Sequence, residues 1–215
     1  MSIVHDVLGY HIGLPDHSTT SLIGHIRSLR GKHIHLDVIL VPAAEFNTSA
    51  RQAVDFALFR TRETYAQADL GVARVEWFGM SESEAGDYAR IDSKLEAYEL
   101  TSRFSGPNDD ALDVFITADY SIDDEHAGIA AINVPCNKDL AKMTGAVMGK
   151  RWTGVPLDGV MLGQVMAHET GHLLGLRHVT NVGNLMFEVA TGTDLAPSQG
   201  ETMREHCMVH NGCNL

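Results

Sequence analysis

The chain has 215 residues, enough for one well-buried catalytic domain and too few for two independent ones. Its formal net charge of −12 argues against a nucleic-acid partner and against a broad surface for anionic lipid, and makes basic or neutral polypeptides the easier partners. No apolar run approaches the roughly eighteen residues that read as a membrane span.

The start, Met1-Ser2-Ile3-Val4-His5-Asp6, lacks the basic flank and apolar core of a secretory signal. Residues 1–31 read as an N-terminal extension to a single domain over residues 32–215. Within the extension, Asp16 belongs either to a polar turn or to a carboxylate plug for a metal site. The run His33-Ile34-His35-Leu36-Asp37-Val38-Ile39-Leu40-Val41, stopped by Pro42, predicts a buried first strand. Residues 49–68 carry Ala53, Phe56, Ala57, Phe59 and Arg60 at helical spacing, with Ser49 as the expected cap. A second strand is expected over 72–78. Residues 81–110 are acidic and read as a surface insertion with a helix at 92–103; Ca2+ is possible there, but no calcium-loop motif supports it. Further strands are expected at 112–117, 128–134 and 144–148. Asp158 should cap the next helix, whose Met161, Val165, His168 and His172 share a face. Residues 198–211 read as a terminal helix capped by Ser198. Cys136, Cys207 and Cys213 permit one internal disulfide in three alternative pairings. His206, Cys207, His210 and Cys213 could suggest a second metal set, but a structural role is the expected one. His33, His35 and His126 have no ligand partner by spacing.

The stretch His168-Glu169-Thr170-Gly171-His172-Leu173-Leu174-Gly175-Leu176-Arg177-His178, followed by Asn184-Leu185-Met186, carries the chemistry. On a helix, His168 and His172 lie one turn apart on the same face, close enough to share one ion. Gly175 can take the left-handed conformation that ends a helix, and so return His178 as a third nitrogen ligand. Three neutral imidazoles suit zinc and leave one tetrahedral position open, as in catalytic rather than structural sites. Chance would produce the five fixed positions on the order of once in ten thousand chains of this length.

This pattern resembles that of the metzincin clan of zinc metallopeptidases, His-Glu-x-x-His-x-x-Gly-x-x-His with a downstream methionine turn. It is most similar to the matrixin branch, through the short His178-to-Met186 spacing and the Leu185-Met186 ending. Phe187 stands where matrixins commonly carry tyrosine, and Glu188 where astacin-like relatives do, so no tyrosine is placed by motif at the oxyanion. The resemblance implies an α+β fold: a twisted, mostly parallel sheet with one antiparallel edge strand, a long active-site helix, and a small C-terminal lobe with a helix. The upper lobe would span about residues 32–175 and the lower about 176–215. One catalytic Zn2+ would sit on His168, His172 and His178, with Glu169 as general base and Met186 as an apolar floor. Gly128, Ile129, Ala130, Ala131 and Ile132 would pair with an extended substrate, and residues 187–197 would wall the pocket beyond the cleaved bond. The implied function is a zinc-dependent endopeptidase acting on polypeptides, extracellular or periplasmic. The alternative is an inactive metzincin-like binding or inhibitory module with a stabilising zinc.

Overall fold

Alternation along residues 32–41 demands a sheet covered on both sides. Ile34, Leu36, Val38 and Leu40 enter one apolar core, whereas Ile39 and Val41 enter another. A computed structural model describes residues 6–10 (backbone alone), 31–105, 110–138 and 143–212. Asp16 and Cys213 therefore lie outside the described residues. In chain order the elements are β1 (Asp6–Tyr10), β2 (Lys32–Val41), α1 (Thr48–Ala66), β3 (Leu70–Gly79), α2 (Glu82–Ala85), β4 (Arg90–Ile91) and α3 (Lys94–Phe104). They continue with β5 (Ala111–Thr117), β6 (Asp119–Tyr120), β7 (Gly128–Ala130), β8 (Gly145–Gly149), β9 (Arg151–Trp152) and β10 (Val155–Pro156). The last three are α4 (Gly159–Leu173), α5 (Pro197–Glu205) and β11 (His210–Asn211).

The main sheet has the order β1-β3-β2-β5-β8-β7. β2 runs parallel to β3 and β5, β5 runs parallel to β8, and β7 closes one edge antiparallel to β8. This is the mostly parallel sheet with an antiparallel edge strand that the resemblance implies. At the other edge β1 adds a further antiparallel strand against β3, so part of residues 1–31 is built into the sheet. Strand β11 pairs antiparallel with the first residues of β2. Strands β10, β9, β6 and β4 form a smaller second sheet.

Helices α1 and α4 pack on one face of the main sheet, around Leu58, Tyr65, Leu162 and Met166. Of residues 81–110, expected as a surface insertion, the described stretch 81–105 instead covers the other face. Its acidic side chains alternate with Ala97, Leu100, Thr101 and Phe104, an i, i+3, i+4, i+7 stripe on α3. Most of that stripe packs with Ile39, Val41, Phe115 and Val147.

Element ends differ from expectation for local reasons. Asn47, not Ser49, caps α1, accepting the Ala50 N–H at 2.9 Å. Pro197 occupies the first turn of α5, and the Ala196 N–H donates to Gln199 Oε1 at 2.8 Å, so Ser198 is no cap. The helix ends at Glu205, so His206 lies just beyond it and His210 in β11, not one helical turn apart. Of the three possible pairings, Cys136 bonds Cys207, tying the loop after β7 to the end of α5. Among the described residues, no helix is long and apolar enough to cross a membrane.

Candidate metal centre and cleft

Helix α4 begins where Asp158 accepts the N–H groups of Val160 and Met161 at 2.9 and 2.8 Å, as its sequence predicts. Met161, expected on the buried face, is 45% exposed because it lies in the first turn, before the helix passes under the sheet. From Leu162 onward the helix is mostly buried and held from behind by Tyr65. The Tyr65 hydroxyl bonds the Ala167 carbonyl at 2.9 Å and the Thr170 hydroxyl at 2.5 Å. His168 and His172 are thereby fixed one turn apart. Gly175, at φ +95°, breaks the helix, and the chain turns back with His178.

The three Nε2 atoms converge. They lie 3.1 Å (His168–His172), 3.2 Å (His168–His178) and 3.1 Å (His172–His178) apart. His168 Nδ1 donates to the Leu185 carbonyl at 2.7 Å and His172 Nδ1 to the Leu176 carbonyl at 2.8 Å. A carbonyl only accepts, so in both neutral rings Nε2 carries the lone pair. Lone pairs this close repel unless a cation lies between them. Tetrahedral zinc at about 2.0–2.1 Å from nitrogen needs ligand atoms roughly 3.3 Å apart, so this group could hold that ion.

Met186 is fully buried beneath the helix: a Cβ on Gly171 would meet its Sδ at 3.0 Å. Asn184, to which the motif reading gave no role, shapes this turn. Its Oδ1 accepts the Met186 N–H at 2.9 Å and the Gln199 amide at 3.0 Å, binding the turn to α5. An asparagine two residues before a buried methionine is a legible turn signal. Truncating Met186 to alanine is expected to cost about 2–5 kcal/mol of stability, checked by urea denaturation.

A cleft of about 460 Å³ opens over the histidines and is lined also by Glu169, Tyr120, Asp123, His126, Lys94 and Arg177. Of the proposed substrate strand, Gly128, Ile129, Ala130 and Ile132 line it, and Ala131 does not. Strand β7 stops at Ala130 because the chain leaves the sheet to satisfy the end of α4. The N–H groups of Asn133 and Val134 donate to the carbonyls of His172 and Leu173, at 2.8 and 2.9 Å. None of residues 187–197 lines the cleft. His126 enters through Asp123, whose carboxylate accepts its Nδ1 at 3.0 Å and the backbone N–H groups of Glu125 and His126 at 2.9 and 2.7 Å. That loop contact was invisible to motif spacing. His206, by contrast, is a structural histidine: Nε2 donates to the Val134 carbonyl and Nδ1 accepts the Met208 N–H.

Glu169 is 5% exposed and lies directly against β7. A Cβ on Gly128 would stand 2.9 Å from Glu169 Cγ and 3.0 Å from Val165 Cγ1. Gly128→Ala is therefore expected to displace the Glu169 side chain, checked by crystal structures of both proteins. An unmoved Glu169 in that variant would mean that β7 does not set its position.

Burial holds His168 down to about 4 and pushes Glu169 up to about 8, and it also lowers His172 and His178. In chelated protein these groups oppose one another. A lowered histidine contributes stability that is complete above its unfolded pKa, near 6.5, and lost as pH falls through its folded value. The raised glutamate contributes stability that is complete below its unfolded pKa and lost as pH rises towards 8. Above pH 6.5 Glu169 acts alone; below it, three histidines outweigh one carboxylate. Metal-free stability should peak near pH 6.5 and drop by about 2 kcal/mol at pH 8, read from urea midpoints across pH. A profile that rises steadily from pH 6.5 to 8 contradicts this assignment.

The matrixin family model matches residues 117–199, which span the cleft strand, α4 and the Met186 turn. The fold is similar to that of metalloproteinase-II from Bacteroides fragilis, with a TM-score of 0.53, 15% identity, and coverage of 81% of this chain and 53% of that one. It is equally similar to archaemetzincin from Methanopyrus kandleri, with a TM-score of 0.53, 16% identity, and coverage of 81% and 95%. The chain resembles the metzincin-clan zinc peptidases. It spans about half the length of the Bacteroides protein. No curated protein matches it in sequence. The metzincin-like fold thus accounts for the sheet and the buried helix together.

Proposed function

We propose that the protein is a zinc-dependent endopeptidase, with His168, His172 and His178 as ligands and Glu169 as general base. The observation that carries this reading is the convergence of three Nε2 atoms at 3.1–3.2 Å beside a buried carboxylate, at the floor of an open cleft. Zinc held there supplies Lewis acidity, polarising a carbonyl and making water a stronger acid. Glu169 accepts the proton of the attacking water and returns it to the leaving amine. Gly128 and Ile129 offer an edge along which an extended peptide can add as a strand. Met186 and Asn184 hold the turn beneath the ligands, and the carbonyls of Leu185 and Leu176 orient two of the rings.

The alternative, an inactive module with a stabilising zinc, would favour a closed site of four protein ligands. Among the described residues the group that could share this ion has three members, the number that an open site uses. Binding of a peptide hydroxamate tests the reading. It should bind the zinc-loaded protein, compete with cleavage of a generic protein substrate, and fail to bind after chelation. Equal binding with and without zinc would remove the metal from the account.

A further inference from the structure

The apolar alternation of β2 fails over its first half, where His33, His35 and Asp37 occupy the face that Ile39 and Val41 occupy further on. The neighbouring strands are polar there too. His35 pairs with Arg74, and Asp37 with Glu76 and Asp113. Strand β11 brings His210 opposite His33, and its ring stacks on His35 with centroids 4.6 Å apart. Asp110 completes the group. Its Oδ2 lies 3.2 Å from His35 Nδ1 and 4.0 Å from His210 Nε2, while its carbonyl is 3.0 Å from His210 Nε2. Arg74 holds the other carboxylate oxygen. The ligand atoms of His35, Asp110 and His210 all lie within 4.8 Å of one another.

We propose that His35, Asp110 and His210 form a second divalent-metal site, which takes zinc or a similar transition-metal ion and ties residues 210–211 to β2. Two imidazoles with one carboxylate are a donor set for such ions, with further positions left to water. Arg74 on Asp110 Oδ1 leaves Oδ2 towards the rings, as an outer-shell partner orients a ligating carboxylate.

Stacked rings cannot both aim an in-plane lone pair at one ion, so one must turn. His35 is buried in the sheet, whereas His210 sits on a two-residue strand with its ring partly exposed. His210 is the ring that rotates: its Nε2 gives up the Asp110 carbonyl, and ion binding unstacks the pair. The ligands come from positions 35, 110 and 210, which explains why no local spacing announced them.

The site is independent of the peptidase reading, and zinc calorimetry on chelator-stripped protein tests it. The wild type should bind two equivalents, and His172→Ala/His178→Ala, which lacks two ligands at the cleft, should bind one. Adding His210→Ala to that background should abolish the remaining equivalent, with circular dichroism confirming the fold. Asp110→Asn in the same background should do likewise, and it answers the question if the His210 variant fails to fold. The proposal is overturned if the wild type binds one equivalent and the cleft variant none, or if the last equivalent survives both added substitutions.

Discussion

Glu169→Gln is expected to keep zinc and the fold while lowering single-turnover peptide cleavage by roughly 10²–10⁴-fold, about 3–5 kcal/mol of barrier. The amide matches the carboxylate in size, so it fits against Gly128 as the carboxylate does. It cannot take a proton from water. The cleft holds another carboxylate, Asp123, but it is a poor substitute. Burial raises its pKa, yet the backbone N–H groups of Glu125 and His126 and the His126 ring outweigh this and hold it below the usual range. Wild type and variant would be loaded with equal zinc and mixed in excess over a peptide that the wild type cleaves. Comparable rates would place the base elsewhere.

His178→Ala should weaken zinc binding at the cleft by well over the 10–100-fold typical of an outer-shell change, because a ligand itself is removed. The fold should hardly notice. His178 is exposed on the segment after Gly175, whereas His168 and His172 are buried in α4. Competition against a zinc chelator measures the affinity, and thermal melts of the two metal-free proteins measure the fold. Unchanged affinity would mean that the chain beyond Gly175 does not complete the site.

The helix, its cap and the three histidines were legible because each depends on nearest neighbours in sequence. A period of 3.6 residues aligns His168 with His172, Asp158 caps the helix, and Gly175 supplies the left-handed turn. Features set by distant partners were not. Strand β7 looked longer than it is because Ala131 to Val134 are apolar enough for a strand, while the carbonyls at the end of α4 draw Asn133 and Val134 away. The acidic face of α3 concealed an apolar stripe that only the sheet beneath makes sense of. The choice of Cys207 as partner for Cys136 rests on the packing of α5 beside the loop after β7, which no spacing records.

The central claim is tested most directly by incubating the zinc-loaded wild-type protein with a broad library of unstructured peptides and reading the products by mass spectrometry. The expected result is internal peptide-bond cleavage that chelation abolishes and added zinc restores. Stoichiometric zinc at His168, His172 and His178 with no cleavage of any library member would contradict it, and would make the binding module the better description.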